Sequence, residues 1–365
     1  MIKAVTDSYQ ISKIEISGYK SIKKCYLELG SLNILIGSNG AGKSNFISFF
    51  KLIKQILSKN LQLYVGRSGG PDALLHYGRK ETSTINAKFY FGNNGYFFDL
   101  EPTQDNRLMF RRESFYWNLR GETTLGMGHF ESLSEKGTGT GIDKNVLPPM
   151  KSWQIYHFHD TSDSAKVKQL HGINDNVFLR QDASNLAAFL YYLKSQFPME
   201  YKRIISTIQL VAPFFGDFFL RPSPANQDKI ELEWTEAGHD TPFKAHELSD
   251  GTLRFICLAT VLLQPDKLMP GTILIDEPEL GLHPYAITVL ASLLQSASEQ
   301  HQIIVSTQSV ELINEFEAED LIVVDRKDGS SSFSRLKEKD LLLWLEDYSL
   351  GELWKKNVLG GRPAR

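Results

Sequence analysis

One short stretch of the chain, GSNGAGKS at 37–44, combines glycines and small residues with a single lysine, directly after the apolar run LNILI. Its spacing matches the pattern G-x-x-x-x-G-K-[ST], with Gly37, Gly42, Lys43 and Ser44 at the fixed positions. Bare glycine backbone lets successive N–H groups converge on an anion, and a nucleotide triphosphate needs many such donors at once. The spacing therefore predicts a phosphate-binding loop between a strand and a helix.

Within this loop, the residue types assign different work to different side chains. The Lys43 ammonium is expected on the outer phosphates, and the Ser44 hydroxyl is expected as a ligand of Mg²⁺. A glycine-rich turn with a solvated lysine is the plainer alternative, and the strand and helix around the loop argue against it. We therefore expect ATP and Mg²⁺ as cofactors. The predicted ATP-binding residues of the loop are Gly37, Ser38, Asn39, Gly40, Ala41, Gly42, Lys43, Ser44 and Asn45.

A pair of adjacent carboxylates follows another apolar run, in TILIDEPELGLHP at 272–284. The run is expected to deliver Asp276 and Glu277 to the carboxyl end of a strand, where α/β sheets bind their ligands. Asp276 is predicted to hold Mg²⁺, and Glu277 to orient and deprotonate the attacking water. Alone, such a pair is usually a solvated turn; together with residues 37–44 it predicts a catalytic site.

A third stretch, ELSDGTLRF at 247–255, opens an amphipathic helix with Ser249, Asp250 and Gly251. An ordinary helix N-cap would explain these residues. Because Gly251 precedes Asp276 by only 25 residues, we instead expect a second anion-binding helix end, with Ser249 and Gly251 as ATP contacts.

The elements that must position these motifs alternate along the chain. Short β-rich runs precede the phosphate loop, a β-meander is expected over 81–117, and helices are expected over 184–211. From residue 248 the pattern runs helix, strand, helix, strand, which favours a parallel sheet covered by helices. The predicted fold is α/β, with a mixed or parallel sheet core, an antiparallel β subdomain and a helical lobe. The predicted divisions are an ATP-binding lobe at 1–180, a helical or insertion region at 181–247, and a lobe at 248–365 that carries the acidic pair and a C-terminal tail.

Two further segments carry expectations. Residues 121–149 are rich in Gly and Thr without a period, which predicts a long mobile loop. The C-terminal stretch has an apolar side formed by Trp344, Leu350, Leu353 and Trp354, so it is expected to dock onto the protein or onto a partner.

Composition limits the class of protein. The 365 residues are 42% hydrophobic and 23% charged, which argues against wholesale disorder. A net charge of −3 excludes a generally basic nucleic-acid binder. Cys25 and Cys257 form no CxxC pair, the first residues lack the apolar core of a signal peptide, and the longest apolar run, FICLATVLL, is too short to cross a bilayer. A cytoplasmic protein that does not enter a membrane is the expectation.

The order of the motifs GSNGAGKSN, LSDGT, ILIDEPELGLHP and IIVSTQS resembles the ABC-type ATPase heads of the SMC/RecF/OLD group. The ending GKSN, the run ELGLHP and the opening ISGYKSIKK favour this group over transporter ATPases. The resemblance implies a P-loop NTPase fold and a head-to-tail homodimer that sandwiches ATP. In such a dimer, residues 37–44 of one subunit would face Ser249 and Gly251 of the other, and residues 279–283 would cross the interface.

Two positions depart from the family pattern. The signature reads LSDGT where LSGGQ is common, so contacts across the dimer are expected to be altered. The switch position, often His, is Gln308, which can hydrogen-bond a phosphate or water but carries no charge. Gln308 is therefore predicted as a catalytic residue of a slow ATPase that acts as a switch.

The glutamine that senses Mg²⁺ in this family has two candidates here. Gln181 in VFLRQDASN is the predicted metal residue, and Gln154 in SWQIYHF is the rival. His157 and His159 alternate onto one strand face beside Asp160. A polar structural role is favoured for them over metal binding, because the spacing suggests no third ligand.

The expected function follows from what surrounds the motifs. Prolines interrupt residues 182–247, so no long coiled coil fits there, and no second carboxylate cluster follows Gln308. The expectation is a compact switch ATPase that regulates a separate effector protein in prokaryotic defence or DNA repair. An ABC-transporter ATPase subunit and an ATP-binding scaffold with negligible hydrolysis are the alternatives. DNA could contact a local basic surface formed by Lys20, Lys23, Lys24, Arg111 and Arg112.

Overall fold

The structure is a computed structural model that describes residues 10–137, 139 and 141–361. The chain divides into two compact units, each built from discontinuous stretches. The first unit holds the chain up to Ile155, Pro270–Leu274 and the chain from Gln300 onward. The second unit holds Tyr156–Met269 and Ile275–Glu299. The three continuous divisions expected from the sequence stay a prediction.

Strands and helices alternate over most of the described chain. The strands are β1 (Lys13–Tyr19), β2 (Ile22–Glu28), β3 (Leu32–Ile36), β4 (Ile85–Phe91), β5 (Asn94–Pro102), β6 (Leu108–Trp117), β7 (Gly121–Gly126), β8 (Gln154–Tyr156), β9 (His171–Gly172), β10 (Phe215–Phe218), β11 (Pro222–Ser223), β12 (Asn226–Ile230), β13 (Glu233–Glu236), β14 (Pro242–Lys244), β15 (Thr272–Asp276), β16 (Gln302–Thr307), β17 (Leu321–Lys327) and β18 (Ser330–Arg335). The α-helices are α1 (Lys43–Leu57), α2 (Leu61–Arg67), α3 (Ile142–Ser152), α4 (Leu186–Gln196), α5 (Pro198–Val211), α6 (Asp250–Leu263), α7 (Pro284–Ala297), α8 (Val310–Ile313), α9 (Leu342–Leu345) and α10 (Leu350–Lys355).

An antiparallel sheet of six strands lies in the first unit, in the order β2-β1-β4-β5-β6-β7. Its strands alternate in burial; in β4, Ile85, Ala87 and Phe89 are buried while the residues between them are partly exposed. One face of the sheet therefore packs on the core, as is usual for antiparallel sheets. The meander expected over 81–117 is confirmed, because β4, β5 and β6 are sequential antiparallel neighbours.

A second six-stranded sheet has the order β18-β17-β3-β16-β15-β8. Strand β3 pairs in parallel with β16 and β17, and β18 pairs antiparallel with β17. All of β3 is buried, which explains its uninterrupted apolar sequence. Strands β15 and β8 each pass from the first unit into the second. The expected mixed sheet core is confirmed, and β3 leads directly into the phosphate loop.

Helix α1 is held by an aromatic cluster in the first unit. Phe46, Phe49 and Phe50 repeat at helical spacing and are fully buried. The rings of Phe50 and Trp153 lie 5.1 Å apart in an edge-on arrangement, and those of Phe89 and Trp153 lie 5.3 Å apart. This packing fixes the position of the helix that starts at the predicted phosphate loop.

The segment 121–149 is more regular than its composition predicts. Gly121–Gly126 forms β7 against β6, and Ile142–Ser152 forms α3, with Val146 and Met150 buried in the core. The expectation of one long loop is therefore wrong for these two elements; residues 138 and 140 lie outside the described part of the chain. Tertiary burial stabilises α3 although Pro residues interrupt its pattern.

A buried carboxylate anchors the connection between β7 and α3. Glu113 on β6 is fully buried, and its oxygens accept hydrogen bonds from Tyr96 Oη at 2.5 Å, His129 Nε2 at 2.8 Å and Leu133 N at 2.8 Å. Several donors on one carboxylate offset the cost of burying its charge. These long-range bonds order a stretch that has no periodic pattern of its own.

The second unit is mainly helical. Helices α4 and α5 confirm the helices expected over 184–211, and α6 is buried along almost its whole length. Two small sheets, β10-β13-β14 and β11-β12-β9, complete the unit. Among the residues that the structure describes, no helix combines the length and apolar character needed to cross a membrane.

The C-terminal stretch docks onto the first unit, as expected. Leu350 and Leu353 of α10 are buried, and Gly351 N donates a hydrogen bond of 2.7 Å to Asn314 Oδ1 at the end of α8. Trp344, in contrast, is 47% exposed.

Candidate nucleotide-binding site

The predicted phosphate loop joins β3 to α1 in the first unit. Helix α1 begins at Lys43, with Gly42 at its N-cap and without a side-chain cap. A Cβ at Gly37 would lie 2.2 Å from Val324 O, and a Cβ at Gly42 would lie 2.0 Å from Ser331 Oγ. Only glycine fits at these two positions. The first N–H groups of a helix have no acceptor within the helix, so the loop and helix start form a cradle suited to an anion.

The Lys43 side chain folds back along the loop. It is only 4% exposed, and its ammonium donates to Gly37 O at 2.6 Å and to Ser38 O at 3.2 Å. Backbone carbonyls thus compensate the burial of its charge. The predicted role of Lys43 toward phosphate stays a prediction.

Side chains from distant parts of the sequence hold the outer side of the loop. The Ser331 hydroxyl on β18 donates to Ala41 O at 2.6 Å and lies 2.7 Å from Ser21 Oγ. Asn45 Nδ2 donates to the same Ser21 Oγ at 2.7 Å. Sequence reasoning placed Asn45 among the ATP-binding residues but missed Ser21 and Ser331, because serines in polar turns carry no distinctive signal.

Two backbone groups of the loop, one carbonyl and one N–H, have partners that the sequence did not indicate. Arg326 Nη1 on β17 donates to Gly40 O at 3.3 Å. Ser38 N donates to the carbonyl of Gly361, almost at the end of the described chain, at 2.7 Å. The loop is therefore bounded by β17, β18 and the C-terminal stretch.

The acidic pair lies at the end of β15, in the second unit. The Asp276 side chain is 13% exposed. Glu277 is partly buried and has a φ of 46°, in the left-handed region that residues other than glycine rarely adopt. Such backbone strain persists only where the surrounding structure enforces it, and it is concentrated at functional sites.

Two histidines accompany Asp276. His157 Nδ1 lies 3.8 Å from Asp276 Oδ2, His159 Nε2 lies 3.1 Å from Asp276 O, and the two imidazole rings are 3.8 Å apart. Asp160, expected beside them, instead accepts hydrogen bonds from Ser162 N and Oγ. Within the described part of the chain, no three His, Cys, Asp or Glu side chains form a metal-binding group. The polar structural role favoured for the histidines stays a prediction.

The predicted signature segment starts α6 in the same unit. The Ser249 hydroxyl is exposed and accepts a hydrogen bond of 3.1 Å from Thr252 N, so within one chain it is a helix N-cap. A Cβ at Gly251 would lie 2.3 Å from Gly281 O, which places the start of α6 directly against the ELGLHP stretch. The role of Ser249 and Gly251 as ATP contacts stays a prediction.

Sequence reasoning missed Arg254, which joins three parts of the second unit. Its guanidinium donates to Leu280 O at 2.8 Å, to Phe158 O and His159 O at 3.0 Å each, and to Thr161 Oγ1 at 3.3 Å. The signature helix is thereby tied to the stretch after Glu277 and to the histidine stretch. The fixed, forked donors of arginine suit several separated acceptors.

The three candidate glutamines have different surroundings. Gln154 Oε1 accepts a hydrogen bond of 2.9 Å from Lys54 Nζ. The backbone carbonyl of Gln181 accepts one of 3.1 Å from His157 N. Gln308 directly follows β16 and is partly exposed.

Two family models match the sequence. One, described as "AAA ATPase domain", matches residues 10–114, and one described as "AAA domain, putative AbiEii toxin, Type IV TA system" matches residues 143–314. A "Putative ABC transporter ATP-binding protein" of Methanosarcina acetivorans is 32% identical over 120 residues. That match covers 30% of this chain and 42% of the length of the relative.

Solved structures share the fold at low sequence identity. An SMC head bound to the C-winged helix domain of ScpA has a TM-score of 0.61 at 19% identity, over 91% of this chain and 99% of that one. An Smc head with an extended coiled coil, bound to the C-terminal domain of ScpA derived from Pyrococcus furiosus, has a TM-score of 0.58 at 18% identity, over 92% and 98%. The expected P-loop ATPase-head fold is confirmed. Two AAA-domain family models therefore match separate stretches of this chain, and its fold is similar to that of SMC head domains.

Proposed function

We propose that this chain is a Mg²⁺-dependent ATPase that acts as a nucleotide-gated dimeric switch. The observation that carries the proposal is the loop at 37–44, where glycine backbone, a buried lysine and a helix start form the cradle that a polyphosphate needs. On binding, Lys43 would exchange the carbonyls of Gly37 and Ser38 for phosphate oxygens, so its charge stays compensated throughout.

The available side chains suit Mg²⁺. The Ser44 hydroxyl is exposed at the first turn of α1, and Asp276 supplies a carboxylate; both are the hard oxygen ligands that Mg²⁺ prefers. Mg²⁺, when bound, neutralises charge that develops on the terminal phosphate. Glu277 would accept the proton of the attacking water, with its strained backbone directing the carboxylate.

Dimerisation would complete the nucleotide site. The N-terminus of α6 supports this, because Ser249 and Asp250 are exposed there and a helix N-terminus favours an anion. In the proposed dimer, the phosphate loop of one protomer faces Ser249 of the partner subunit and Gly251 of the partner subunit. Neither protomer alone would then hold ATP fully.

Turnover is expected to be slow. Gln308 at the switch position can donate to or accept from a phosphate or water, but it cannot carry a proton or a positive charge. A single-turnover rate of many per second would contradict this part of the proposal.

Gln181 is the better supported of the two candidates for the Mg²⁺-sensing glutamine. Its carbonyl holds the backbone of His157, whose ring lies beside Asp276, whereas the Gln154 side chain is engaged by Lys54. We therefore retain Gln181 as the proposed metal residue.

A separate effector protein, in prokaryotic defence or DNA repair, is the proposed target of the switch. The family description that names a toxin–antitoxin system supports a defence setting. DNA contact is a weaker proposal, because Arg112 is already paired with Asp99 at 3.2 Å and with Glu122 at 2.7 Å. Lys23, Lys24 and Arg111 are the exposed members of the basic set.

The test uses Glu277→Gln, which should retain ATP because binding groups remain while the proton acceptor is lost. We expect this variant to form more ATP-dependent dimer than the unmodified protein, measured by light scattering after size exclusion with Mg²⁺ and ATP. Lys43→Ala is the matched control, and it should stay monomeric under the same conditions. A Glu277→Gln protein that neither retains ATP nor dimerises more strongly would refute the switch.

The relative described as a transporter ATP-binding protein supports a second candidate, an ATPase subunit of a transporter. That function predicts co-purification with a membrane protein. An ATP-binding scaffold predicts that Glu277→Gln leaves the rate of phosphate release unchanged.

A further inference from the structure

We propose that the C-terminal segment, defined as residues 350–361, is a positioning element of the nucleotide site. It fixes the start of the phosphate loop and connects that loop with the helix after Gln308. The inference rests on the proposed function, because its consequence is a change in nucleotide affinity. All residues that carry it belong to the first unit.

The end of the C-terminal segment contacts the loop directly. Gly361 is buried and accepts the 2.7 Å hydrogen bond from Ser38 N. Its φ is 80°, and a Cβ there would lie 3.2 Å from Val324 O and 3.4 Å from Gly37 Cα. Backbone packs against backbone at this point, which only glycine allows without a shift.

A defined helix end brings Gly361 to the loop. Asn357, two residues after the end of α10, has a φ of 59°. Val358 N donates to Leu353 O and Asn357 N donates to Trp354 O, both at 2.9 Å. This left-handed end reverses the chain and satisfies the last helical carbonyls. Leu353 and Leu359 are buried on either side of the reversal, so the C-terminal segment is packed and not merely adjacent.

The start of the same segment packs on α8. Gly351 N donates to Asn314 Oδ1 at 2.7 Å, and a Cβ at Gly351 would lie 2.6 Å from Val310 Cγ1. Helix α8 is capped by Ser309, the residue directly after Gln308. One segment therefore contacts both the phosphate loop and the helix at the switch position.

Hydrogen bonds within the loop indicate that the docked C-terminal segment raises nucleotide affinity. The Ser38 carbonyl accepts from Ala41 N and from Lys43 Nζ, both at 3.2 Å, so Ser38 anchors the residues that would meet the phosphates. The Ser38 N–H donates to the Gly361 carbonyl and precedes the N–H groups of Gly40 and Gly42 in the chain. The bond to Gly361 does not use those glycine N–H groups. Restraining Ser38 thus preorganises the loop and raises nucleotide affinity.

One buried group weakens the docking of the C-terminal segment. The indole Nε1 of Trp354 is buried and has no hydrogen-bond acceptor among the residues that the structure describes. A buried donor without a partner weakens the docked state relative to an undocked one in which water bonds it. A change that loosens the docking of the C-terminal segment would therefore also loosen the phosphate loop.

The test compares two adjacent glycines with almost the same backbone. Gly360 has a φ of 82° and a Cβ there would approach only Val323 Cγ1, at 3.9 Å, so Gly360→Ala introduces the same strain without the clash. We expect Gly361→Ala to raise the Kd of a fluorescent ATP analogue with Mg²⁺ about three- to tenfold, from loss of one restraining hydrogen bond, and Gly360→Ala to stay within about twofold. Asn314→Ala should shift the Kd in the same direction.

Hydrogen exchange of the Ser38 amide supplies a readout that does not need nucleotide. Faster exchange in Gly361→Ala than in Gly360→Ala supports the inference, and equal exchange with equal Kd values overturns it. Unchanged affinity in Asn314→Ala overturns the connection to α8. If the unmodified protein does not bind the analogue, the proposed function fails, while the Ser38 exchange rates still decide whether the C-terminal segment positions the loop.

Discussion

Lys43 has a structural role in the loop that is compatible with the nucleotide binding proposed for it. Its ammonium is buried but compensated by the carbonyls of Gly37 and Ser38. Burying a charge without partners would be strongly destabilising, so these two carbonyls allow the Lys43 ammonium to stay buried in the loop. Phosphate oxygens would replace them at little electrostatic cost, which favours binding.

At this scale we predict that Lys43→Ala weakens nucleotide binding about 10- to 100-fold, the worth of a charge-assisted hydrogen bond of about 1.5–3 kcal/mol. Titration of a fluorescent ATP analogue with Mg²⁺ measures it. Lys54→Ala is the control on the same helix, because burial lowers the pKa of Lys54 and its ammonium bonds Gln154, away from the loop. Equal losses in both variants would contradict a specific role of Lys43.

At the scale of elements, Arg254 connects α6, the helix of the predicted signature segment, to two loops by hydrogen bonds. Four acceptors from different stretches converge on one guanidinium. The contact between Gly251 and Gly281 O adds a close backbone approach beside it. Helix α6 and the stretch after Glu277 are therefore directly connected within the second unit.

We predict that Arg254→Ala lowers the free energy of unfolding by about 2–3 kcal/mol, because several backbone acceptors lose a charged donor. Arg254→Lys should recover only part of it, since one ammonium cannot reach all acceptors. Urea unfolding followed by circular dichroism is the measurement. The control is Arg203→Ala, at an exposed arginine of α5, which should change the free energy of unfolding by less than about 0.5 kcal/mol. A similar loss in this control would argue against a specific role of the Arg254 hydrogen bonds.

A second prediction for elements concerns pH. Hydrogen bonds from Lys151 on α3 and from Lys59 after α1, at 2.8 Å and 2.9 Å, lower the pKa of Glu135 to about 2. Because the pKa of Glu135 is lower in the folded protein than its ordinary value of 4.5, the ionised carboxylate stabilises the fold above pH 4.5. This stabilisation is lost as the pH falls toward 2.

Accordingly, Glu135→Gln should reduce the urea midpoint near neutral pH, and its difference from the unmodified protein should shrink below pH 4.5. Glu81→Gln is the control, an exposed glutamate without an ion pair among the described residues. A difference that stays constant down to pH 3 would contradict the assignment.

At the scale of the whole molecule, each unit carries one buried thiol. Cys25 lies in the first unit and Cys257 in the second, and burial raises the pKa of each to about 12. Since the thiolate is the reactive form, a rise from 9.0 lowers its fraction at neutral pH about a thousandfold. Each thiol therefore reports on the folding of its own unit.

We predict that neither cysteine reacts with a disulfide reagent at pH 8 in the folded protein, and that both react after urea unfolding. Cys25→Ser and Cys257→Ser leave one thiol each and assign the signal to a unit. Rapid labelling of either thiol without denaturant would show that its burial is not maintained in solution.

Much of this molecule could be predicted from local pattern. The strand, glycine loop and helix at 32–57 follow from apolar runs and the fixed spacing of the loop residues, and the meander follows from alternation. Both signals depend on residues close in sequence, where backbone geometry imposes a period. The sheet core and the succession of strand, loop and helix at 32–57 could thus be predicted without a structure, whereas phosphate binding by the loop stays a prediction.

Other features were decided only by tertiary structure. Residues 121–149 are held by hydrogen bonds to Glu113, and the loop at 37–44 is held by Ser331 and Gly361. Arg254 donates mainly to backbone carbonyls. Every residue has the same backbone carbonyl, and every residue except proline has the same N–H group. The residue types therefore do not indicate which of these groups meet across hundreds of positions. The sequence by itself determined which groups can do chemistry; the folded chain decided what holds those groups still, because that depends on contacts between segments that are remote in sequence.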